Sequence, residues 1–523
     1  MARPTPNKPA RVDHFDVLII GAGLSGVAAA RHLREKCPQR EFAILEARDC
    51  IGGTWDLFRY PGVRSGSDMF TLGYSFRPWT ETKAIADGPS ILRYIRATAR
   101  EHDIEGKIRF NHRLRRASWS AKETRWTLEV ERTAPGEQVY LTCNFLLMCS
   151  GYYSYQQGFT PSLPGIAQFK GAVIHPQNWT TAIDYTGKRV VVIGSGATAV
   201  TLTPELAKSA ATITLVQRSP TYVVAWPDED RLANRLRRWL PAGTACAITR
   251  WKNVTAGMYF YRLCKRNPAR ARAMILNGVR QAVGPDCDVE AHFNPRYNPW
   301  EQRLCLAPNG DFFQSIRQGR TTIVTDEIET FVETGLKLRS GRHLAADLVI
   351  TATGLDLQVF GGVELDVDGQ PVDPANLLCY KGVLYSDMPN FAAVTGYSNA
   401  SWTLKAELIC NYVCRLLDYM DRRGFKRCTP RHRDAGVERL PPVDLSSGYL
   451  QRALHKLPKQ GSRRPWRIHQ NYLRDLIALR YGPFDDGVLE FAPAPPSRSR
   501  RFGLLRKSPT GAPSAQRGPK GWR

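Results

Sequence analysis

Apolar residues in this chain fall into short dense runs separated by stretches with helical spacing. Residues 15–20, FDVLII, read as a strand buried on both faces. GAGLSG follows at 21–26, and VAAARHLREK at 27–36 continues as an amphipathic helix. The same order returns at 188–207, KRVVVIGSGATAVTLTPELA: strand, glycine turn, helix. Further strands are expected in EFAILEA at 41–47, TITLVQ at 212–217 and DLVITATG at 347–354. Strands alternating with helices predict an α/β fold with two Rossmann-like dinucleotide-binding domains.

The glycines indicate what the turns hold. Gly21 permits the sharp bend, Gly23 lets backbone approach a pyrophosphate, and Gly26 allows close packing of helix on strand. Ser25 belongs to the same turn. The helix N-terminus adds N–H donors and a positive dipole. Glu46, about twenty residues beyond, suits a ribose diol by accepting its hydrogen bonds. Further on, RDCIGGTWDLFRYPGVRSGSD presents Gly53, Thr54, Trp55 and Asp56. Paired glycines beside a tryptophan fit the large flat ring of FAD; a core tryptophan is the alternative for Trp55.

In the second turn Gly194, Gly196 and Ala199 hold the equivalent places, with Ser195, Ala197 and Thr198 between them. The strand after it ends in Arg218 and Ser219 rather than in an acid. A guanidinium pairs with a phosphate that an acid would repel, which favours NADPH over NADH. The plainer reading of Arg218 is a solvated charge at a strand end. Two nucleotide sites in one chain let a hydride pass from NADPH to a flavin. No CxxC follows the first site, which argues against a disulfide reductase.

Composition narrows the picture. A chain of 523 residues suggests two or three lobes, and 43% hydrophobic with 23% charged residues is ordinary for a soluble protein. The net charge of +25 is partly carried by the tail at 491–523, which reads as a disordered basic extension. Its alternative is attraction to anionic lipid. Nothing resembling a nucleic-acid-binding module accompanies it. Twelve scattered cysteines suggest reduced thiols in a cytoplasmic protein, with no metal site. No cleaved signal peptide and no membrane span are expected.

FKGAVIHPQNW at 169–179 sits between the two glycine turns and matches the pattern FxGxxxHxxxW. On this motif the chain resembles the flavin-dependent Baeyer–Villiger monooxygenases, most closely their ethionamide-activating branch. GGTWDLFRYPG, SGYYSY, HFNPRYNPWEQRLCLAPNGDFF, ITATGLDLQ and SNASWTLKAEL extend the likeness from about residue 13 to 490. Thr180 replaces the family's usual proline after the tryptophan. The resemblance implies an NADPH- and O2-dependent FAD monooxygenase. It would insert one oxygen atom into ketones, giving esters or lactones, or add it to sulfides and thioamides, through a flavin peroxide.

The resemblance further implies that His175 couples the FAD and NADP domains and that Arg303 stabilises the peroxide anion. Arg64, Ser65 and the backbone of Leu114 are implied nucleotide contacts. Residues alone leave His175 open as a general acid or a turn histidine, and Arg303 as a surface or salt-bridged arginine. One departure stands out. The family pattern has an aspartate where this chain has Gly66 at the flavin site; Asp68 comes two residues later. Without that carboxylate nothing at position 66 orients Arg303. An uncoupled NADPH oxidase-like flavoprotein is therefore a second reading, and a non-turnover FAD or membrane-surface binding protein a third.

The organisation expected is an NADP domain inserted in the FAD domain. The FAD domain covers 11–160 and 355–490, and the NADP domain 161–225 and 318–354. Residues 226–317, rich in arginine and aromatics, form a helical insertion that covers the active site. That insertion is a packed lobe with a basic outer face or, alternatively, an amphipathic surface lying on a membrane. Ser401 is expected to cap the helix that starts beside it.

Overall fold

The computed structural model describes residues 12–133 and 136–494. The basic tail expected at 491–523 lies almost wholly outside them. Strand β1 (Asp13–Ile20) runs into the first glycine turn and helix α1 (Leu24–Lys36), and β2 (Phe42–Leu45) returns beside it. β1 pairs in parallel with β2 on one side and with β3 (Glu137–Met148) on the other. Every side chain from Val17 to Ile20 is buried, which explains the unbroken apolar run. An antiparallel arm, His112–Ser120 and Arg125–Arg132, extends this sheet beyond β3. Helix α2 (Met69–Leu72) is a single buried turn capped by Asp68.

The chain leaves this sheet through β4 (Tyr153–Gly158) and enters a second, wholly parallel one. There β5 (Ala172–Ile174), β6 (Arg189–Ile193), β7 (Thr212–Gln217), β8 (Thr321–Thr325) and β9 (Leu348–Thr351) lie in the order β8-β7-β6-β9-β5. Helix α3 (Ala197–Leu206) follows β6 as α1 follows β1. Between β7 and β8 the chain makes a lobe whose main helices are α4 (Ala242–Arg266) and α5 (Pro268–Val283). The lobe also contributes a short parallel strand pair, Val223–Trp226 with Cys305–Pro308. The return to the first sheet is β10 (Leu355–Leu357), which pairs antiparallel with β4. The two crossings between the sheets are thus hydrogen-bonded to each other. Helices α6 (Trp402–Arg423) and α7 (Tyr472–Arg480) close the first half, α6 packing against α1. The fold is α/β with two Rossmann-like halves, one inserted in the other, and a helical insertion.

Candidate active site

A cavity of about 640 Å³ opens beside the first glycine turn. Gly21 takes φ +106, and a Cβ there would lie 2.6 Å from the Cys149 carbonyl oxygen, so only glycine fits. Gly26 is packed harder still: a Cβ would fall 1.9 Å from the Gly21 oxygen. Gly23 and Gly53 face one another, a Cβ on Gly53 coming within 3.1 Å of the Gly23 Cα. The wall is bare backbone where a pyrophosphate would need close approach, so these residues fit that group. Glu46 is buried and accepts from the Ala22 N–H at 2.8 Å and the Arg48 N–H at 3.0 Å. Burial raises its carboxyl pKa, and those hydrogen bonds oppose the rise.

The same cavity reaches Ser25, Thr54, Trp55, Arg64, Ser65, Gly66, Leu114, Ala197, Thr198 and Arg303. It therefore joins the first turn to the start of the second and to the lobe. Arg64 turns its guanidinium onto Asp311 as an ion pair. Asp56, expected at the cofactor site, lies outside the cavity wall. It is buried among the guanidinium groups of Arg48, Arg59 and Arg96, at 2.6, 3.3 and 3.3 Å.

Arg303 is exposed and pairs with no carboxylate among the described residues. The turn that carries it is held tightly. Trp300 sits at φ +66, a strained conformation for a bulky residue, and packs edge-on against Tyr261 of α4 at 5.7 Å. Gly66 is open: a Cβ there would meet nothing within 4 Å. Asp68 does not stand in for the missing carboxylate. It caps α2, accepting from the Thr71 N–H at 3.0 Å and the Thr71 hydroxyl at 2.8 Å. A line of hydroxyls continues from there, Thr71 to Ser401 at 2.6 Å and Ser401 to Ser67 at 2.8 Å, and Ser67 lines the cavity. Ser401 is thus engaged across to α2 and makes no side-chain cap on α6, contrary to expectation.

The second turn repeats the first. Gly194 takes φ +129, and its Cβ would lie 2.4 Å from the Ala352 oxygen. Ala199 is buried against the sheet, whereas Gly196 is exposed. Ser195 donates to the Ser219 carbonyl at 3.0 Å, and Arg218 is exposed beside it with no ion pair among the described residues. The donors and the free guanidinium fit a dinucleotide phosphate.

His175 lies outside both turns, at the crossing. Its Nδ1 accepts from the Gln177 N–H at 3.2 Å, so Nε2 carries the proton and donates to the Gly354 oxygen at 3.1 Å. Gly354 O also accepts from the Phe159 N–H at 3.0 Å. The imidazole fills the space above Gly158, where a Cβ would fall 1.9 Å from Cε1. Burial lowers the pKa of His175 and the Gly354 bond opposes this. The neutral ring therefore touches Gly158 of β4 and Gly354, the residue just before β10, together.

With this geometry in view, likeness to known proteins is informative. The flavin-binding monooxygenase-like family model matches residues 15–231. The FAD-containing monooxygenase EthA of Mycobacterium tuberculosis (strain ATCC 25618 / H37Rv) is 52% identical over 484 residues, covering 92% of this chain and 99% of the relative. EthA of Mycolicibacterium smegmatis is 51% identical over 480 residues, covering 92% and 97%. This chain belongs to the flavin-binding monooxygenase-like family. It is an NADPH-dependent flavin monooxygenase whose cofactors are FAD and NADPH. The fold is shared with a steroid monooxygenase solved with NADP, at TM-score 0.68 and 24% identity over 80% of this chain and 87% of that one. A structure of OTEMO with FAD and NADP gives TM-score 0.71 at 20% identity over 92% and 100%.

Several cavity residues of this flavin monooxygenase were not singled out from sequence. Tyr153 donates to Thr54 Oγ1 at 2.6 Å, and Tyr152 stacks on Trp402 at 5.3 Å. Trp402 in turn donates from Nε1 to Ser25 Oγ at 2.9 Å. The string SGYYSY was the available signal: three tyrosines directly after a buried strand.

Proposed function

We propose that the enzyme oxygenates ketones to esters or lactones, and sulfides or thioamides at sulfur, in the cavity shared by Gly66 and Arg303. The observation that carries this is an unpaired, permanently charged guanidinium in the same cavity as the glycine turn that fits FAD. When bound, FAD reduced by NADPH supplies the activated oxygen. Arg303 places a fixed positive charge beside negative charge on the reacting oxygen. Glu46 holds a ribose of FAD, Arg64, Ser65 and Leu114 line the nucleotide, and Arg218 with Ser219 selects the NADPH phosphate. His175 keeps the two halves in register through Gly158 and Gly354. We assign 11–160 and 355–490 to FAD, 161–225 and 318–354 to NADPH, and 226–317 to the cover. The enzyme works in the cytoplasm on small molecules, with contact to a membrane surface as a source of apolar ones.

Gly66 supports a second reading, uncoupled NADPH oxidation with peroxide release, because no carboxylate orients Arg303 from that position. One experiment separates the two. NADPH consumption, oxygenated product and peroxide are measured together over a ketone and sulfide panel, for wild type and Gly66→Asp. Product matching NADPH supports oxygenation. Peroxide matching NADPH in wild type, with product recovered in Gly66→Asp, selects the second reading. The open space at Gly66 admits the new side chain.

A further inference from the structure

Residues 231–285 contain twelve arginines and lysines and no acid. Flanking segments neutralise a few of them. Arg250 is buried against Glu407 at 2.7 Å, Lys265 meets Asp444 at 3.2 Å, and Lys252 and Arg280 pair with Asp230 and Glu290. Arg231, Arg235, Arg238, Arg262, Arg266 and Arg270 are exposed and pair with no carboxylate among the described residues. Apolar side chains stand among them. Trp239 is 82% exposed and Tyr259 72%, and Ile248 and Trp251 are exposed on the same helix. Positions 248, 251, 255, 259, 262 and 266 fall on one face of α4, which therefore passes from apolar to basic along its length. Trp251 also touches Tyr472 at 5.8 Å, where α7 begins. That helix exposes Leu473 and Ile477, and its C-cap Tyr481 follows at the same spacing of four, with Arg474 and Arg480 exposed beside them.

We propose that this face of α4, the preceding Trp239 loop and α7 docks on the anionic headgroup layer of a membrane. Unpaired guanidinium groups pair with lipid phosphates, and indole and phenol rings settle at the boundary with the acyl chains. Charge complementarity selects an acidic surface, and the aliphatic positions Ile248 and Ile477 select lipid over nucleic acid. No helix among the described residues is long and apolar enough to cross a membrane, so the contact is a surface one. The proposal rests on the oxygenase reading only for its consequence. The neighbouring face of α4 presents Tyr261 to Trp300, on the turn that carries Arg303. A docked enzyme thus has its active-site arginine braced by the helix that touches lipid.

The test is co-sedimentation of the full-length, FAD-loaded chain with vesicles of phosphatidylcholine alone or mixed with phosphatidylglycerol. Binding is expected only to the mixture and is expected to weaken as salt rises. Arg235→Gln/Arg238→Gln should weaken it about fivefold per arginine removed. Trp239→Ala/Tyr259→Ala should weaken it about tenfold. Tyr140→Ala, exposed on β3 of the other sheet, should change nothing. FAD content and NADPH oxidation in solution report that each variant is folded. Absence of binding, equal binding to neutral vesicles, or variants that bind like wild type would each overturn the proposal. So would concentration-dependent self-association lost in the same variants, because the face would then belong to a second copy. Vesicle binding by a chain that oxygenates nothing would leave docking standing and remove the oxygenase reading.

Discussion

The two glycine turns share one plan and differ in what surrounds them. In each, the first glycine has φ beyond 100° and lies under a neighbouring carbonyl, Cys149 for Gly21 and Ala352 for Gly194. Beyond that they part. The first turn is faced by Gly53, with Tyr155 beside it and Trp402 reaching Ser25, and it lines the cavity along its length. The second has Gly196 and Ala197 exposed, and a Cβ on Gly196 would touch nothing. The motif alone makes a phosphate site; its roof decides whether the ligand stays. A walled turn suits a ligand that stays bound, and an exposed turn suits one that exchanges.

The largest effect should come from adding one methyl to each turn. Gly26→Ala puts a Cβ 1.9 Å from a backbone oxygen that has nowhere to move. No FAD-loaded, folded protein is expected. Gly196→Ala should keep stability within about 0.5 kcal/mol and full FAD content. It should raise the KM for NADPH severalfold, because the methyl obstructs approach of the pyrophosphate. Melting curves, flavin absorbance and steady-state kinetics read these outcomes. Equal loss of flavin in both variants would break the comparison.

Next in size is Arg218→Ala. A hydrogen-bonded charge pair with phosphate is worth enough that preference for NADPH over NADH should fall roughly 10- to 100-fold. The kcat/KM ratio for the two coenzymes measures it. FAD content should not change, since Arg218 lies outside the first cavity.

The connection between the two halves should show a smaller effect. His175→Ala removes the donor to Gly354 and the ring over Gly158. Flavin reduction by NADPH, followed by stopped flow, should slow on the order of tenfold through misalignment. FAD content should stay intact. Gly158→Ala disturbs the same contact from the opposite side and should give a similar rate, with little further loss in the double variant. Additive losses would mean that the two residues act separately.

How much of this was legible follows from range. Val17 to Ile20 are buried on both faces, so the apolar run and its glycine turn could be read locally. Glu46 follows from the short path along β2. The motif at 169–179 was visible and the resemblance implied a coupling role for His175, but the partner was not legible: His175 bonds Gly354, 179 residues away. Asp56 sits in the same string as Thr54 and Trp55, and only the fold shows it turned to three arginines. Tyr152 and Tyr153 were signalled locally only by the run of tyrosines after a buried strand, and that run does not distinguish a cavity wall from a core. Gly66 was legible as a departure. That Asp68 is occupied as a helix cap required the structure.

The smallest effect concerns pH, and it too separates the halves. Helix α1 after the first turn buries His32, whereas α3 after the second buries no ionisable side chain. His32 stands 4.0 Å from Glu407, beyond hydrogen-bond reach, and neither ring nitrogen has a partner. Burial lowers its pKa from 6.5 to about 4, with Glu407 opposing. The native state therefore keeps the neutral ring, while the unfolded chain takes up a proton first as pH falls below 6.5. Stability should be lost through that window until pH passes about 4, by about 1 kcal/mol on going from about pH 8 to about pH 6. His32→Leu removes the titrating group and a buried polar ring without partners. Its denaturant midpoint should fall less steeply over the same range, and flavin release on acidification should shift to lower pH. Parallel pH profiles for wild type and His32→Leu would show that acid acts elsewhere, and the first half would lose its claim to be the pH-sensitive one.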